Sequence, residues 1–473
     1  MSKRLIMILT IAFVVGLTVG AYAEVQNVKL SGDMTVYGLS RALSLTSQKA
    51  ENTLASIIRL RVDADLTDNV MATVRLINER YWGEDVTNSN TTGSSSTTAD
   101  NTNIDLDLAY VTLKEFLYSP LTMTVGRQEL HFGNDMIIGD AYTNNQASKA
   151  SVFNQTIDAD LSARKSFDAL RATLNYDPLV IDIVGAQIRK DSRTLGVNSG
   201  GAATVESLSV DDQETLVGIN ANYALNKKTT VEGYFWQRRI SINDKSAITI
   251  TDNNIKPDYT NVVGGRVVTK ATDALTLQGE VAYQSGKDNV GSGSRNKTRS
   301  AWAVETAATY DMKDVKKVGK YKPMATLLYS YFSGAKTDKK TNNAWDPMYE
   351  NQTTGSIANA LFDQSNVHVL GGMLSMKPMD DITLKGEYYA FWWDKRFGRY
   401  GNASTATAIA TGETLAMTDK KFAAQEFDLT ATYDYTEDVQ FALLGGLLFP
   451  GNSFDKLNRN TAGELIGSMK VTF

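Results

Sequence analysis

Along much of the chain, apolar and polar residues alternate with a period of two. Ile58, Leu60, Val62, Ala64 and Leu66 take turns with Arg59, Arg61, Asp63 and Asp65, so an extended backbone places apolar side chains on one face and charges on the other. The same pattern sets Val28, Leu30, Met34 and Val36 against Lys29, Ser31 and Asp33. It recurs in Ile104, Leu106, Leu108 and Tyr110 with Asp105 and Asp107, and in Phe427, Leu429, Ala431 and Tyr433 with Asp428, Thr430 and Thr432. One such segment is compatible with any half-buried strand. Repetition discriminates, because eighteen segments can be placed, each of about 10 to 13 residues, the length of a tilted strand that crosses a bilayer. They run over 28–38, 54–66, 70–82, 104–114, 121–130, 165–176, 179–190, 214–225, 229–240, 259–270, 274–285, 299–311, 321–333, 365–377, 382–394, 424–435, 438–449 and 462–473. The pattern predicts an all-β, transmembrane, antiparallel up-and-down barrel of about 18 strands, an even number as bacterial single-chain barrels require.

The connections carry a second signal. Thr67-Asp68-Asn69, Asp177-Pro178, Asn226-Lys227-Lys228, Ala271-Thr272-Asp273 and Thr436-Glu437 are short turns. Residues 83–103, 131–164, 191–213, 241–258, 334–364 and 395–423 are long stretches rich in Asn, Ser, Thr, Gly and Asp, as solvated loops are. Short turns on one side and long loops on the other match periplasmic and extracellular ends. Tyr176, Tyr223, Tyr310 and Tyr433 sit beside short turns, where an amphipathic ring suits the headgroup level. The serine- and threonine-rich run Asn88 to Thr98 is low-complexity and is expected to form an external loop.

Composition narrows the class further. Lys3 and Arg4 precede an apolar stretch from Leu5 to about Val19, and Ala21-Tyr22-Ala23 provides small residues for cleavage, the layout of a secretory signal. The expectation is a cleaved peptide over 1–23, one barrel domain over 24–473, and residence in the bacterial outer membrane after Sec-type export. Removing two basic charges takes the net charge from −5 to −7. There are no cysteines, which excludes disulfide scaffolds, thiolate metal sites and cysteine nucleophiles. No later segment approaches 18 consecutive apolar residues, so if the rest of the chain crosses a membrane it does so as a closed barrel.

A run from Val125 through Gly126-Arg127-Gln128-Glu129-Leu130-His131-Phe132-Gly133-Asn134-Asp135 to Ile138-Gly139 resembles the alginate-export family of outer-membrane barrels. Arg164-Lys165-Ser166-Phe167-Asp168-Ala169-Leu170-Arg171 is similar to the family's Arg-x-Phe-Asp strand start. Ser333-Gly334 followed by Trp345-Asp346-Pro347-Met348-Tyr349 is similar to its loop ending in aromatic-Asp-Pro-x-Tyr. Glu426 to Tyr433 and Phe449-Pro450-Gly451 resemble its last strands. The terminal strand, with Leu465, Gly467, Met469, Val471 and Phe473 on one face, resembles the signal read by the barrel-assembly machinery. The resemblance implies an 18-stranded channel secreting an exopolysaccharide, with arginines guiding a polyanion through a constriction. Where the family commonly has a further arginine after Gly133-Asn134-Asp135, this chain has Met136.

Alternation assigns lumen-facing charges: Arg59, Arg61, Arg75, Arg171, Arg266 and Lys385, together with Asp63, Asp65, Asp105, Asp107, Glu232, Glu280, Glu305 and Glu387. Glu129 joins the lining candidates. The expected lumen is mixed rather than plainly electropositive, and its charges are expected to pair across neighbouring strands. Arg127 shares parity with Val125, which would point it outward, so either the strand bulges near Gly126 or Arg127 lies at the rim; the bulge, re-aiming it into the lumen, is the expectation. The stretch from His131 to Arg164 is long enough to fold inward, which the sequence leaves open.

A nonspecific porin for small polar solutes is the nearest rival reading. A hydrolase is the rival from another class, but His131 and His368 are the only histidines and neither lies in a hydrolase-like context. The chain is therefore read as a passive channel with no catalytic residues, cofactor or metal site. Its expected partners are outer-membrane lipid, the assembly machinery, a polysaccharide and periplasmic secretion components, with no nucleic acid. A longer periplasmic turn holding Lys313, Lys316, Lys317 and Lys320 is read as a solvated basic turn, with an acidic partner or an emerging polymer as the functional alternative.

Overall fold

The computed structural model describes residues 27–47, 49–83, 104–141, 157–196, 207–241, 257–288, 297–335, 340–397 and 405–473. The proposed signal segment and the run Asn88 to Thr98 lie outside these. Eighteen strands form the wall: β1 Asn27–Ala42, β2 Glu51–Thr67, β3 Val70–Tyr81, β4 Asp105–Leu113, β5 Leu121–Glu129, β6 Ser166–Asn175, β7 Leu179–Gly196, β8 Ser207–Asn226 and β9 Thr229–Ser241. The others are β10 Asp258–Lys270, β11 Leu275–Asp288, β12 Lys297–Asp311, β13 Met324–Phe332, β14 Val367–Met379, β15 Ile382–Trp393, β16 Phe422–Asp434, β17 Val439–Pro450 and β18 Ala462–Thr472. Each pairs antiparallel with its sequence neighbours, and β18 closes on β1, with Thr35 opposite Lys470. The Gly32 N–H donates to the Phe473 carbonyl at 2.8 Å and the Phe473 N–H donates back at 3.0 Å. Closure removes free edges, so the wall's backbone groups are satisfied without water. No helix among the described residues is long and apolar enough to cross a membrane.

The outer face is the apolar half of the alternation. Leu30, Ile58, Val74, Leu170, Val217, Val263, Leu327, Leu370, Leu429 and Leu443 all stand exposed there, a band that only lipid can cover favourably. Tyr176, Tyr223, Tyr310 and Tyr433 are likewise exposed beside the short turns. β7 and β8 run past the expected ends, so residues 191–196 and 207–213 extend the ladder where a loop was expected. Outside lipid, backbone pairing alone sustains a ladder, and no apolar alternation announces it. β13 begins at Met324 rather than 321 because a single 3₁₀ turn, Gly319–Tyr321, and Pro323 precede it.

The long stretches answer the question left open for 131–164 and correct the reading of 334–364 as a solvated loop. The described parts of 131–164 and 334–364 fold into the barrel, with Leu130, Met136, Ile138, Ile157, Trp345, Tyr349, Ile357 and Leu361 buried. They carry apolar clusters in otherwise polar connections, and burying these against the inner wall outweighs solvation of the rest.

Candidate functional site

Two segments cross the lumen and are stitched to each other. After β5 the chain turns inward at Leu130. The Phe132 ring meets Trp236 of β9 at 4.8 Å, and the Asn134 side chain donates to Glu305 of β12 at 2.6 Å. This segment therefore spans from β5 to the far wall. The second segment follows β13. Its Tyr349 N–H donates to the Ile137 carbonyl at 3.2 Å, and the Tyr349 carbonyl accepts from Gly139 and Asp140 at 2.8 and 3.0 Å. Gln352 donates to both the Asn134 carbonyl and Glu305.

Asp346 anchors this partition. Its carboxylate lies between Arg238 of β9 and Arg299 of β12, hydrogen-bonded to the first and 3.5 Å from the second. Gln284 of β11 accepts from its backbone N–H at 2.9 Å and donates to its carbonyl at 2.7 Å. Burial would raise the Asp346 carboxyl, but Arg238 and Arg299 outweigh it and hold it below the ordinary carboxylate range. Tyr349 adds a bond to Glu214 of β8 at 2.8 Å. Further along lies one helix, α1, Ser356–Leu361. Glu426 of β16 accepts from the Ile357 and Ala358 N–H groups at 2.6 and 2.8 Å, and Asp428 accepts from Ser356 at 3.2 Å. These carboxylates satisfy the donors that a helix start leaves open.

A shorter inward piece is pinned near β1. Arg41 binds Asp160 at 2.6 Å, Asp158 at 3.1 Å and Glu464 at 3.1 Å. Glu79 accepts from Ser162, Ala163 and Arg164, and Arg164 also reaches Asp105 at 2.7 Å.

The charges assigned to the lumen are brought together as pairs. Arg59 binds Asp33, Arg61 binds Asp63 at 2.7 Å, Arg171 binds Asp182 at 2.7 Å and Lys385 binds Glu387 at 2.6 Å. Arg75 holds both Asp107 and Glu129, and Arg266 lies 3.6 Å from Glu232 and 3.8 Å from Glu280. A register shift between Arg75 and Leu76 makes Asp107 an extra residue on β4, so Asp107 and Leu108 are both buried. Asp65 is half-buried at the inner end of β2.

Within most pairs the two charges are layered. Lys385 is 45% exposed against 11% for Glu387, and Arg171 30% against 7% for Asp182. Arg61 is likewise more open than Asp63, and Arg266 more open than either glutamate. In each of these pairs the cation is the more exposed partner, although the Arg171 guanidinium also lies over the Phe132 ring of the inward segment at 5.2 Å. The order reverses toward the outer ends of β4 and β5, where Glu129 is 34% exposed against 10% for Arg75 and Asp105 is more open than Arg164.

Arg127 departs from expectation. Gly126 does adopt a left-handed φ of 125°, but the register runs through it without a shift. Arg127 stays on the outer face, two residues from the end of β5, bound to Asp168 at 2.8 Å and to the Leu106 carbonyl at 3.1 Å. An outward arginine is tolerated here because a carboxylate on the adjacent strand neutralises it. Glu129, at the strand's last position, turns inward to Arg75.

Sequence reasoning did not assign roles to Asp346, Arg238, Arg299, Glu214 or Asn134. The signal available was Trp345-Asp346-Pro347-Met348-Tyr349, an apolar cluster in a polar stretch. His131 meets Asp135 at 2.9 Å, which raises its imidazole, and His368 lies on the outer face beside Tyr329 at 2.9 Å.

Glu350 makes the partition sensitive to pH. Burial pushes its carboxyl up to about 8, so it is protonated in the closed arrangement at neutral pH. A raised value means its stabilisation is full below the ordinary 4.5 and is lost as pH rises toward 8. Protease cleavage within 345–365 is expected to rise by up to roughly tenfold per pH unit over that window and then level off. Glu350→Gln should flatten the profile; an unchanged profile would assign the dependence elsewhere.

A family model described as alginate export matches residues 36–468. No curated protein matches the chain in sequence. Among solved structures, Pseudomonas aeruginosa OccK2 (OpdF) superposes with a TM-score of 0.54 at 9% identity, covering 95% of this chain and 99% of its own. OccK2 (OpdF) in complex with glucuronate gives 0.53 at 9%, with the same coverage. P. aeruginosa OccD3 (OpdP) gives 0.52 at 11%, covering 95% of this chain and 94% of its own. At such identities the likeness is one of fold.

Proposed function

Since the chain belongs to the alginate-export family, we propose that it conducts a carboxylate-bearing saccharide, an exopolysaccharide or its oligomers, passively across the outer membrane. The family and the barrel make it an outer-membrane channel; the identity of the cargo is the proposal. The layering of the ion pairs carries it. A count of lumen charges is mixed, yet in the pairs on β2, β6 and β15 the arginine or lysine is more open to a solute than the carboxylate that holds it in place. Such a wall offers charge-assisted donors to uronate groups, and acceptors and donors to sugar hydroxyls, without the self-repulsion of an unpaired basic lining. The fold likeness to OccK2, solved with glucuronate, is consistent with that chemistry.

The partition favours a second reading, a narrow porin for small polar solutes. Planar-bilayer recordings separate the two. Uronate oligomers are expected to block the current in a concentration-dependent way, and neutral glucan oligomers of equal length to block it far less. Arg171→Glu with Lys385→Glu should shift ion preference toward cations and abolish the uronate block. Equal, weak effects of both oligomers would favour the porin, as would a double variant with unaltered block.

A further inference from the structure

The longest periplasmic connection joins β12 to β13 through residues 312–323, and it is a built structure. Val315 donates to the Met312 carbonyl at 3.0 Å, Gly319 to Val315 at 2.8 Å, Tyr321 to Val318 at 2.9 Å and Met312 to Pro323 at 2.9 Å. Packing is close enough that a Cβ on Gly319 would meet the Lys313 carbonyl oxygen at 2.0 Å. This frame presents five exposed lysines within ten residues: Lys313, Lys316, Lys317, Lys320 and Lys322.

Against these five lysines the turn itself holds one carboxylate, Asp314. Lys313 lies 3.5 Å from Asp311 and Lys322 3.8 Å from Asp380, both exposed pairs. Lys316, Lys317 and Lys320 have no carboxylate within ion-pair distance among the described residues, and Lys320 lies over the Tyr321 ring at 4.6 Å. The next periplasmic turns around the rim are acidic, with Asp380 and Asp381, then Glu437 and Asp438. Inside the barrel, by contrast, the basic lining candidates are paired. An anionic polymer arriving from the periplasm therefore meets unpaired positive charge on this turn before it meets the lumen.

We infer that the turn 312–323 is an entry dock for the carboxylate-bearing polymer, capturing it at the periplasmic rim and raising its rate of entry. This rests on the proposed saccharide passage and adds where the polymer first binds. Long-range attraction of this kind acts on association and is screened by salt, whereas contacts inside the lumen set residence time. The acidic turns that follow it around the rim would repel the polymer and so bound capture on that side.

The test uses the full chain inserted in one orientation in planar bilayers, with oligomers of a uronic acid of defined length as the probe. Lys316→Glu, Lys317→Glu and Lys320→Glu together should lower the rate of blocking events from the periplasmic side about tenfold at about 0.1 M salt, with the difference fading near 1 M. Block from the extracellular side, block duration and open conductance should stay as in the parent. An unchanged periplasmic rate overturns the dock, and equal losses from both sides overturn it too, because the effect would then lie in the lumen. Absence of block in the parent from either side would instead remove the saccharide reading on which the dock depends. Heat-modifiable gel mobility of the variant verifies that the barrel has formed.

Discussion

Replacing Asp346 by alanine is expected to raise single-channel conductance severalfold and expose residues 340–365 to protease, while the barrel itself stays folded. Arg238 and Arg299 converge on this carboxylate from β9 and β12. Its removal takes away the nearest counter-ion of two largely buried guanidinium groups, leaving the more distant Asp258 and Glu214 beside Arg238, and breaking a buried pair costs about 3–5 kcal/mol. That is comparable to what holds a segment whose own ladder is limited to Thr341–Asn342 on β12 and one bridge from Tyr349 to Ile138, so the partition should detach. The wall's hydrogen-bond ladders do not involve Asp346. Asp346→Asn keeps a side-chain oxygen that can accept from Arg238 and should give an intermediate, noisy channel. The parent should show an acid transition with a definite sign. The carboxyl is held below the ordinary 3.8, so its contribution is present above that value and is lost as pH falls through the depressed one. Conductance of the parent should therefore hold steady down to about pH 4 and rise only below it. Conductance of the alanine variant equal to the parent's would show that the partition does not limit the pore.

Gly126→Ala should destabilise the barrel more than any substitution of an outward glycine. At φ 125° an alanine is strained, and its Cβ would stand 2.1 Å from the Ala109 carbonyl oxygen on β4. Strain of this kind costs about 1–3 kcal/mol, and the backbone clash adds to it because β4 has to move. A total of roughly 3 kcal/mol or more is expected in urea unfolding from lipid vesicles, together with poor assembly. Gly185→Ala is the control: nothing lies within 4 Å of its Cβ, and its effect should stay within about 0.5 kcal/mol. Equal effects at the two positions would mean that the β4–β5 register tolerates a shift there.

These two residues differ in how far the sequence announced them. Gly126 was singled out as the place where the backbone departs from ordinary extended geometry, and it does. The bulge expected to re-aim Arg127 does not form, because a positive φ need not insert a residue into the register; Arg127 takes the alternative place near the end of the strand, where Asp168 makes an outward arginine tolerable. Asp346 lay in a recognisable cluster of aromatic and apolar residues, but nothing local says that a loop aspartate meets arginines 108 and 47 residues away in sequence. The lining charges were legible as a set through parity. Which carboxylate each cation meets, and which of the two faces water, was not.

The sequence by itself determined the wall: eighteen strands, their order, the apolar outer face and the side with short turns. It could do so because each strand pairs with its neighbours in the chain and the period-two alternation is a local record of a backbone that must be satisfied within lipid. Only the tertiary structure decided the interior. The inward course of the two long segments, the grip of Arg238 and Arg299 on Asp346, the seating of α1 on Glu426, and the layering of cations over carboxylates all depend on contacts between distant strands. Their free energies come from burial and charge pairing, which a one-dimensional pattern does not record.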